Sequence, residues 1–385
     1  MNTIILTSTI DWTSIIFSLF GGLGLFLYGI YIMGEALKNI AGNRLKVIIE
    51  RLTGNPFKGL LVGMLVTTIL QSSSATTSIS IGLIRAGLMT LPQAIGVIMG
   101  ANIGTTITAF LIGLNVTQYS FLFIGIGAIL IFFFRKRTIK ETGVALFGFG
   151  LLFFGLEQMG SGFKILAEQE FFNDFMLKLS DNPFLGLLAG TIVTAIVQSS
   201  SATTGIVQNL YANGLITLKG ALPILLGNNI GTTVTALLAA IGGSIAAKRA
   251  SVFHVLFNLF GAIIFMILLT PYFHAVDAIR DWLLSSVTAT QAINVPEMTI
   301  AFAHIIFNVS VTLIFIWFVK YIEIFIKKLV PGEDETYGSF NEEILNDALV
   351  SNSPALALKA SATAIDHMAK TVQDLQPLNL RKQRI

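Results

Sequence analysis

Long apolar runs separated by short polar segments fill the first 330 positions, and two of these runs are interrupted in the same way. A bilayer-crossing helix needs about 20 apolar residues. The runs 12–36, 93–113, 118–134, 143–163, 220–242, 251–270 and 299–326 predict transmembrane helices. Two further runs, 57–70 and 184–197, hold about 14 residues each and as helices rise only ~21 Å, too little to cross comfortably. Each ends in the heptad QSSSATT, at 71–77 and 198–204, and continues as a second short arm, 74–88 and 201–215. Both read as re-entrant hairpins with tips near the middle of the bilayer. The competing layout, in which every arm crosses fully, needs short helices around an intramembrane polar turn.

The interruption recurs because the chain is duplicated. Residues 53–111 align without gaps on 180–238, with NPF opening both copies and N-I-G-T-T near the end of both. About 33 of the 59 pairs are identical, a domain duplication rather than a short-period solenoid. FLYGIYIMG at 26–34 and FFGLEQMG at 153–160 extend the similarity upstream. The predicted organisation is a first transmembrane repeat at 1–142 (hairpin 57–88) and a second at 143–272 (hairpin 184–215). An extracellular loop with a last helix follows at 273–330, then a cytoplasmic tail at 331–385.

Basic residues give the orientation. Lys38, Arg44, Lys46, Arg51 and Lys58, the run RKRTIK at 135–140, Lys248 with Arg249, and Lys327 with Lys328 all fall cytoplasmic if the N-terminus lies outside. The segments 164–182 and 272–298 then lie outside as loops. Each repeat makes three crossings, an odd number, so the second copy is inverted; inverted repeats with broken segments at the midplane are the layout of secondary transporters. No Lys or Arg precedes Lys38, so the basic start of a signal peptide is missing and the first apolar run is expected to remain as a helix. After Pro331 the acidic stretch GEDETYGSFNEE and a helix-like apolar spacing from Pro354 predict a cytoplasmic helical tail.

Composition narrows the class. The chain of 385 residues is 54% hydrophobic and only 12% charged, about half the charge of a soluble domain. The net charge of +3 is spread over loops, which leaves no nucleic-acid footprint. There is no cysteine, so disulfides and thiolate chemistry are excluded. No H-x-x-x-H, no phosphate-binding G-x-x-x-x-G-K-[ST] and no intramembrane carboxylate pair occurs, so an enzyme and an ATP-driven pump are not indicated and no cofactor is expected.

The candidate chemistry sits in uncharged oxygens. A polar group in hydrocarbon costs several kcal/mol unless paired, yet each heptad holds six. Ser72, Ser73 and Ser74, with Ser199, Ser200 and Ser201, lie where a helix begins. Free N–H groups and the positive dipole end there suit an anion, phosphate above all. Gln71, Thr76 and Thr77, with Gln198, Thr203 and Thr204, supply oxygens of the kind Na⁺ needs once dehydrated. Asn102 and Asn229 could contact the anion, and Thr105, Thr106, Thr232 and Thr233 the cation. Neighbouring glycines are expected to weaken those helices and free carbonyls. Helix packing by small residues is the bland reading of both elements, but two identical heptads at matched positions favour a site. His254-x-x-Phe-Asn258 and His304-x-x-Phe-Asn308 place each His and Asn on one helical face, as a pH-sensitive gate or as a structural hydrogen bond between helices. Arg85, in the second arm of hairpin one, could attract phosphate or snorkel to the interface.

These residues resemble the type II sodium–phosphate cotransporter family in its bacterial branch. The resemblance rests on the doubled QSSSATT, the N-x-G-T-T segments and the H-x-x-F-N helices, and covers about residues 15–328. It implies Na⁺-driven uptake of inorganic phosphate by alternating access, with Gln71–Ser74 and Gln198–Ser201 lining the shared site. Na⁺ is then the only metal expected, and the partners are phosphate, Na⁺ and the bilayer, with a homo-oligomer left open. The tail at 340–385 resembles only the start of a PhoU-like helical domain, so the expectation is a chain either truncated there or lacking most of that domain. The same fold carrying another oxyanion or coupled to protons, a phosphate sensor without net transport, and a channel are the alternatives.

Overall fold

A computed structural model describes residues 11–42, 48–49, 52–85, 88–241, 244–287 and 293–332, with a few isolated positions beyond. The described residues form an all-α bundle. Its helices are α1 (Trp12–Ala41, with a π turn at Phe17–Gly21), α2 (Pro56–Leu70), α3 (Ser73–Arg85), α4 (Leu91–Ile112), α5 (Ser120–Phe133), α6 (Arg137–Ala167) and α7 (Glu170–Asp181). Then come α8 (Pro183–Val197), α9 (Ser200–Ala212), α10 (Leu218–Ala240), α11 (Ile245–Ile267), α12 (Leu269–Val287), α13 (Val295–Phe315) and α14 (Val319–Leu329).

Six helices, α1, α4, α6, α10, α11 and the α13–α14 stretch, are long and apolar enough to cross a membrane. They correspond to six of the seven predicted spans. The seventh, at 118–134, is a shorter apolar helix, Thr117–Phe133. The two predicted hairpins appear as the helix pairs α2–α3 and α8–α9. With 15 and 13 residues in each pair of arms, an arm rises about 20–22 Å, short of the ~30 Å hydrocarbon core. The chain is therefore a multi-pass membrane protein. Its outer surface agrees: Phe132, Phe133, Ile196 and Ile267 are each more than three-quarters exposed, as suits side chains whose solvent is lipid.

Two expectations change. The segments 164–182 and 272–298, read as loops, contain α7 and most of α12. Both carry charge on one face and apolar residues on the other; Met176 and Leu179 of α7 and Val276 and Leu283 of α12 are buried. Their charges hid them from a search for spans. The glycine-rich segments do not break their helices, because α4 runs unbroken through Gly100 and Gly104, and α10 through Gly227 and Gly231. The predicted tail helix lies outside the described residues apart from isolated positions.

The glycines serve close approach instead. A Cβ on Gly100 would collide with the Leu60 carbonyl oxygen, and one on Gly63 with that of Val97. In the second copy Gly227 meets the Leu187 carbonyl and Gly190 that of Ile224 in the same way. Thus α2 lies backbone to backbone on α4, and α8 on α10. Both hairpins start alike, with an Asn N-cap followed by Pro: Asn55 Oδ1 accepts from Lys58 N at 2.9 Å, and Asn182 Oδ1 from Phe184 N at 3.0 Å.

One buried charge ties the far end of the bundle. Arg249, 4% exposed at the start of α11, donates through Nε to the Val330 carbonyl at 3.2 Å and through Nη2 to that of Gly332 at 2.7 Å. Hydrogen bonds from a charged donor are worth about 1.5–3 kcal/mol each. Arg249→Met is expected to lower the unfolding temperature in detergent by several degrees, and Arg249→Lys, which lacks the fork, to recover little of it. An unchanged melting curve for Arg249→Met would contradict this anchor.

Candidate functional site

Each heptad makes the same tight reversal. α2 ends at Gln71 in the left-handed region, φ 54°, and α8 ends at Gln198, φ 55°. They are the two non-glycine residues with positive φ among those described, a conformation that costs energy without glycine. The next residue starts the second arm: Ser72 Oγ accepts from Ala75 N and Ser199 Oγ from Ala202 N, both at 3.2 Å. The carbonyl end of one short helix thus abuts the amide end of the next. A threonine from the first arm closes each hairpin: Thr67 donates to Thr76 Oγ1 at 2.8 Å, and Thr194 Oγ1 lies 2.9 Å from Thr203 Oγ1.

The tips dock on the helices that follow them. Thr108 of α4 donates to Gln71 Oε1 at 2.7 Å. Ser74 pairs with Thr235 of α10 at 2.9 Å, which carries hairpin one across to the second copy. Asn228 of α10 donates to the Ser200 carbonyl at 3.2 Å and to Thr204 Oγ1 at 2.8 Å. Seven residues separate Asn228 from Thr235, about 10 Å of helix rise, so α10 holds both tips within two turns. From α9, Gln208 Nε2 reaches the Ala109 carbonyl of α4 at 2.8 Å, next to Thr108. The two heptads therefore share one neighbourhood between α4 and α10.

The hydroxyls divide by availability. Those of Ser73, Ser200 and Ser201 lie on buried residues and make no hydrogen bond among the described residues. Thr105, Thr106, Thr232 and Thr233 donate their protons to carbonyls of their own helix, at 3.1, 2.7, 3.0 and 2.7 Å. Asn102 and Asn229 do likewise through Nδ2, to Ile98 and Leu225, both at 2.8 Å. The threonine hydroxyls, their single proton spent, keep lone pairs for a cation, whereas each asparagine keeps a second N–H as well as its oxygen. The tips also differ: Gln198 is exposed, whereas Gln71 is half-buried and bonded.

The remaining predicted residues stand apart from this arrangement. His254, Asn258, His304 and Asn308 are buried on α11 and α13. Each Asn Nδ2 donates to its own His carbonyl at 2.9 Å, so the bond is within a helix and not between helices. Arg85 ends α3, and its side chain lies outside the described positions. A polar cavity of about 250 Å³, unforeseen in the sequence, opens beside α9; Glu157, Ser161, Lys164, Asn209, Asn213 and Glu297 line it. Sequence reasoning also passed over Thr67, Thr194, Thr108, Thr235 and Asn228. The first four carried a signal, since each is retained at the matching position of the other copy.

Comparison with known proteins follows the same residues. A family model described as Na+/Pi-cotransporter matches 25–161 and 154–281, one match for each copy. The chain is 31% identical over 312 residues to the "Uncharacterized protein YqeW" of Bacillus subtilis, covering 80% of this chain and 96% of that one. It is 24% identical over 357 residues to the "Putative inorganic phosphate export protein YjbB" of Salmonella typhimurium, 93% of this chain and 63% of that one, so it spans less than two thirds of that relative. A shorter match, 39% over 104 residues, covers 26% of this chain and 14% of the human "Sodium-dependent phosphate transport protein 2B". No solved structure matches the chain.

Proposed function

The chain belongs to the Na+/Pi-cotransporter family, and on that premise we propose that it is a secondary active transporter which couples Na⁺ to the uptake of inorganic phosphate. The two copies lie inverted in the membrane, with the N-terminus outside and the C-terminus cytoplasmic. Phosphate binds between the two tips, held by the hydroxyls of Ser72–Ser74 and Ser199–Ser201 and by the amide ends of α3 and α9. Na⁺ sits beside it on the oxygens of Gln71, Gln198, Thr76, Thr77, Thr203 and Thr204, with Thr105, Thr106, Thr232 and Thr233 as further donors of lone pairs. Asn102 and Asn229, assigned to phosphate from the sequence, each spend one Nδ2 proton on their own helix and keep the second for the anion.

The observation that carries the proposal is the meeting of the two heptads on α10, where Thr235 holds Ser74 and Asn228 holds Ser200. The reaction is binding and release; no bond of the cargo changes. Coupling has an electrostatic reason: a phosphate dianion at mid-membrane is prohibitively costly until cations neutralise it. The polar cavity beside α9 supplies the approach from one face, with Glu157 and Glu297 drawing the cation.

One specific observation favours a second reading, export of phosphate: a relative matching 93% of this chain carries that word in its name. Proteoliposomes separate the two. Labelled phosphate should accumulate under an inward Na⁺ gradient, fail to do so with K⁺, and discharge when the gradient collapses. Accumulation that ignores Na⁺, or phosphate binding without accumulation, would overturn the symporter; efflux driven only by an outward gradient would reverse its direction.

A further inference from the structure

Asn228 directs three hydrogen bonds of its side-chain amide into hairpin two. Nδ2 donates to the Ser200 carbonyl at 3.2 Å and to Thr204 Oγ1 at 2.8 Å, both on the second arm. Oδ1 accepts from Thr194 Oγ1 at 2.9 Å, on the first arm. The side chain is fully buried, so one residue of α10 clamps both arms.

The first copy has no such clamp. The position that matches Asn228 is Ala101, and the residue that matches Thr204 is Thr77. Thr77 is 2% exposed, and its hydroxyl has no partner among the described residues. The two hairpins share a closing bond and a cap, since Thr67 closes hairpin one as Thr194 closes hairpin two and Ser72 caps α3 as Ser199 caps α9; they differ in what holds them, Asn228 on both arms of hairpin two against Thr108 on Gln71 and Thr235 on Ser74 in hairpin one.

We infer that Asn228 is a positioning residue for substrate binding, which fixes the Ser200 backbone, and with it the Ser200 hydroxyl and the amide end of α9, at the spacing phosphate requires. The inference rests on the proposed transport of phosphate. Hairpin two is then a preset half of the site, and hairpin one, held at its tip by single bonds to Thr108 and Thr235 rather than by one residue across both arms, is the half that adjusts on binding. Preset donors bind an anion better than donors that must be ordered first.

The test compares wild type, Asn228→Ala, Asn228→Asp, Ser200→Ala and the double variant Asn228→Ala/Ser200→Ala in proteoliposomes at saturating Na⁺. Asn228→Asp is close to isosteric and keeps the acceptor for Thr194 but loses both donated bonds. Both Asn228 variants are expected to raise the phosphate KM by roughly ten-fold, with maximal rate little changed. The double variant should be no worse than the poorer single one, since the two residues act through one contact. Hydrogen exchange reads the clamp without reference to transport: amides 199–205 should exchange faster in Asn228→Ala, and amides 72–78 at the wild-type rate. An unchanged KM in both Asn228 variants beside a raised KM in Ser200→Ala would overturn the inference, as would KM effects that multiply in the double variant, losses confined to maximal rate, or unchanged exchange. Failure of both Asn228 variants to fold would also overturn it, by making the residue a folding determinant. A wild type without Na⁺-dependent uptake would sink the transporter reading and leave the exchange measurement to judge the clamp.

Discussion

Gly100→Val or Gly227→Val is expected to abolish recovery of folded protein. Each glycine lies in the middle of a long helix and faces the backbone of a hairpin arm, Leu60 or Leu187, with no side chain between them. Overpacking a core usually costs about 1–3 kcal/mol because side chains can rearrange. Here the obstacle is a carbonyl in a regular helix, so relief means moving a whole arm. The cost should exceed ~4 kcal/mol, a large part of the stability of a typical fold. Gly100→Ala and Gly227→Ala should fold poorly but measurably. Yield of monodisperse protein in detergent and its unfolding temperature check both grades. Wild-type yield and melting for the valine variants would mean that the seam between α2 and α4, or between α8 and α10, is looser than described.

The second large effect concerns the heptads. Ser73→Ala and Ser200→Ala each delete a hydroxyl that sits on a buried residue and has no partner among the described residues, so little folding energy is at stake. If those hydroxyls hold phosphate, each loss removes a hydrogen bond to a charged ligand, about 1.5–3 kcal/mol, and phosphate KM should rise roughly 10- to 100-fold. Gln71→Ala and Gln198→Ala should instead weaken the dependence of uptake on Na⁺. Alanine keeps the Cβ strain that glutamine already bears at φ 54°, and Gln71→Gly and Gln198→Gly serve as controls: glycine takes the turn freely and still lacks the amide. A Gly variant with normal Na⁺ dependence would reassign the glutamine to backbone geometry alone. Unchanged kinetics in all the Ser and Gln variants would remove the heptads from the binding site.

Much of the architecture was legible in the sequence because membrane spans and hairpins announce themselves through length. The NPF starts fixed where α2 and α8 begin, and the heptads fixed where they end, to within a residue or two. α7 and α12 were missed for the opposite reason. Asp174, Lys178, Asp277, Arg280 and Asp281 make those segments look like loops, yet their apolar faces are buried. The glycine segments were misread in mechanism: Gly100 and Gly227 signalled backbone approach, and nothing in a single helix's sequence says whether a glycine bends it or packs it. The closing threonines were visible only through the duplication. Asn228 was hidden by the same comparison, since a mismatch between copies reads as drift until Thr77 is found without a partner among the described residues.

The glycine seams also have a mechanical consequence. Where two helices touch through main chain, neither sliding nor tilting can be absorbed by a change of rotamer. Each hairpin's first arm and its long neighbour therefore form a stiff plate. The two plates, with their second arms, meet through the Ser74–Thr235 hydroxyl pair, through Gln208 on the Ala109 carbonyl, and through one apolar core that takes Ile95, Ile98 and Met99 from α4 and Leu222 and Leu225 from α10. Side chains fill the face between the plates, and side chains can repack, so any motion the proposed transport needs falls at that face while each plate moves as a unit.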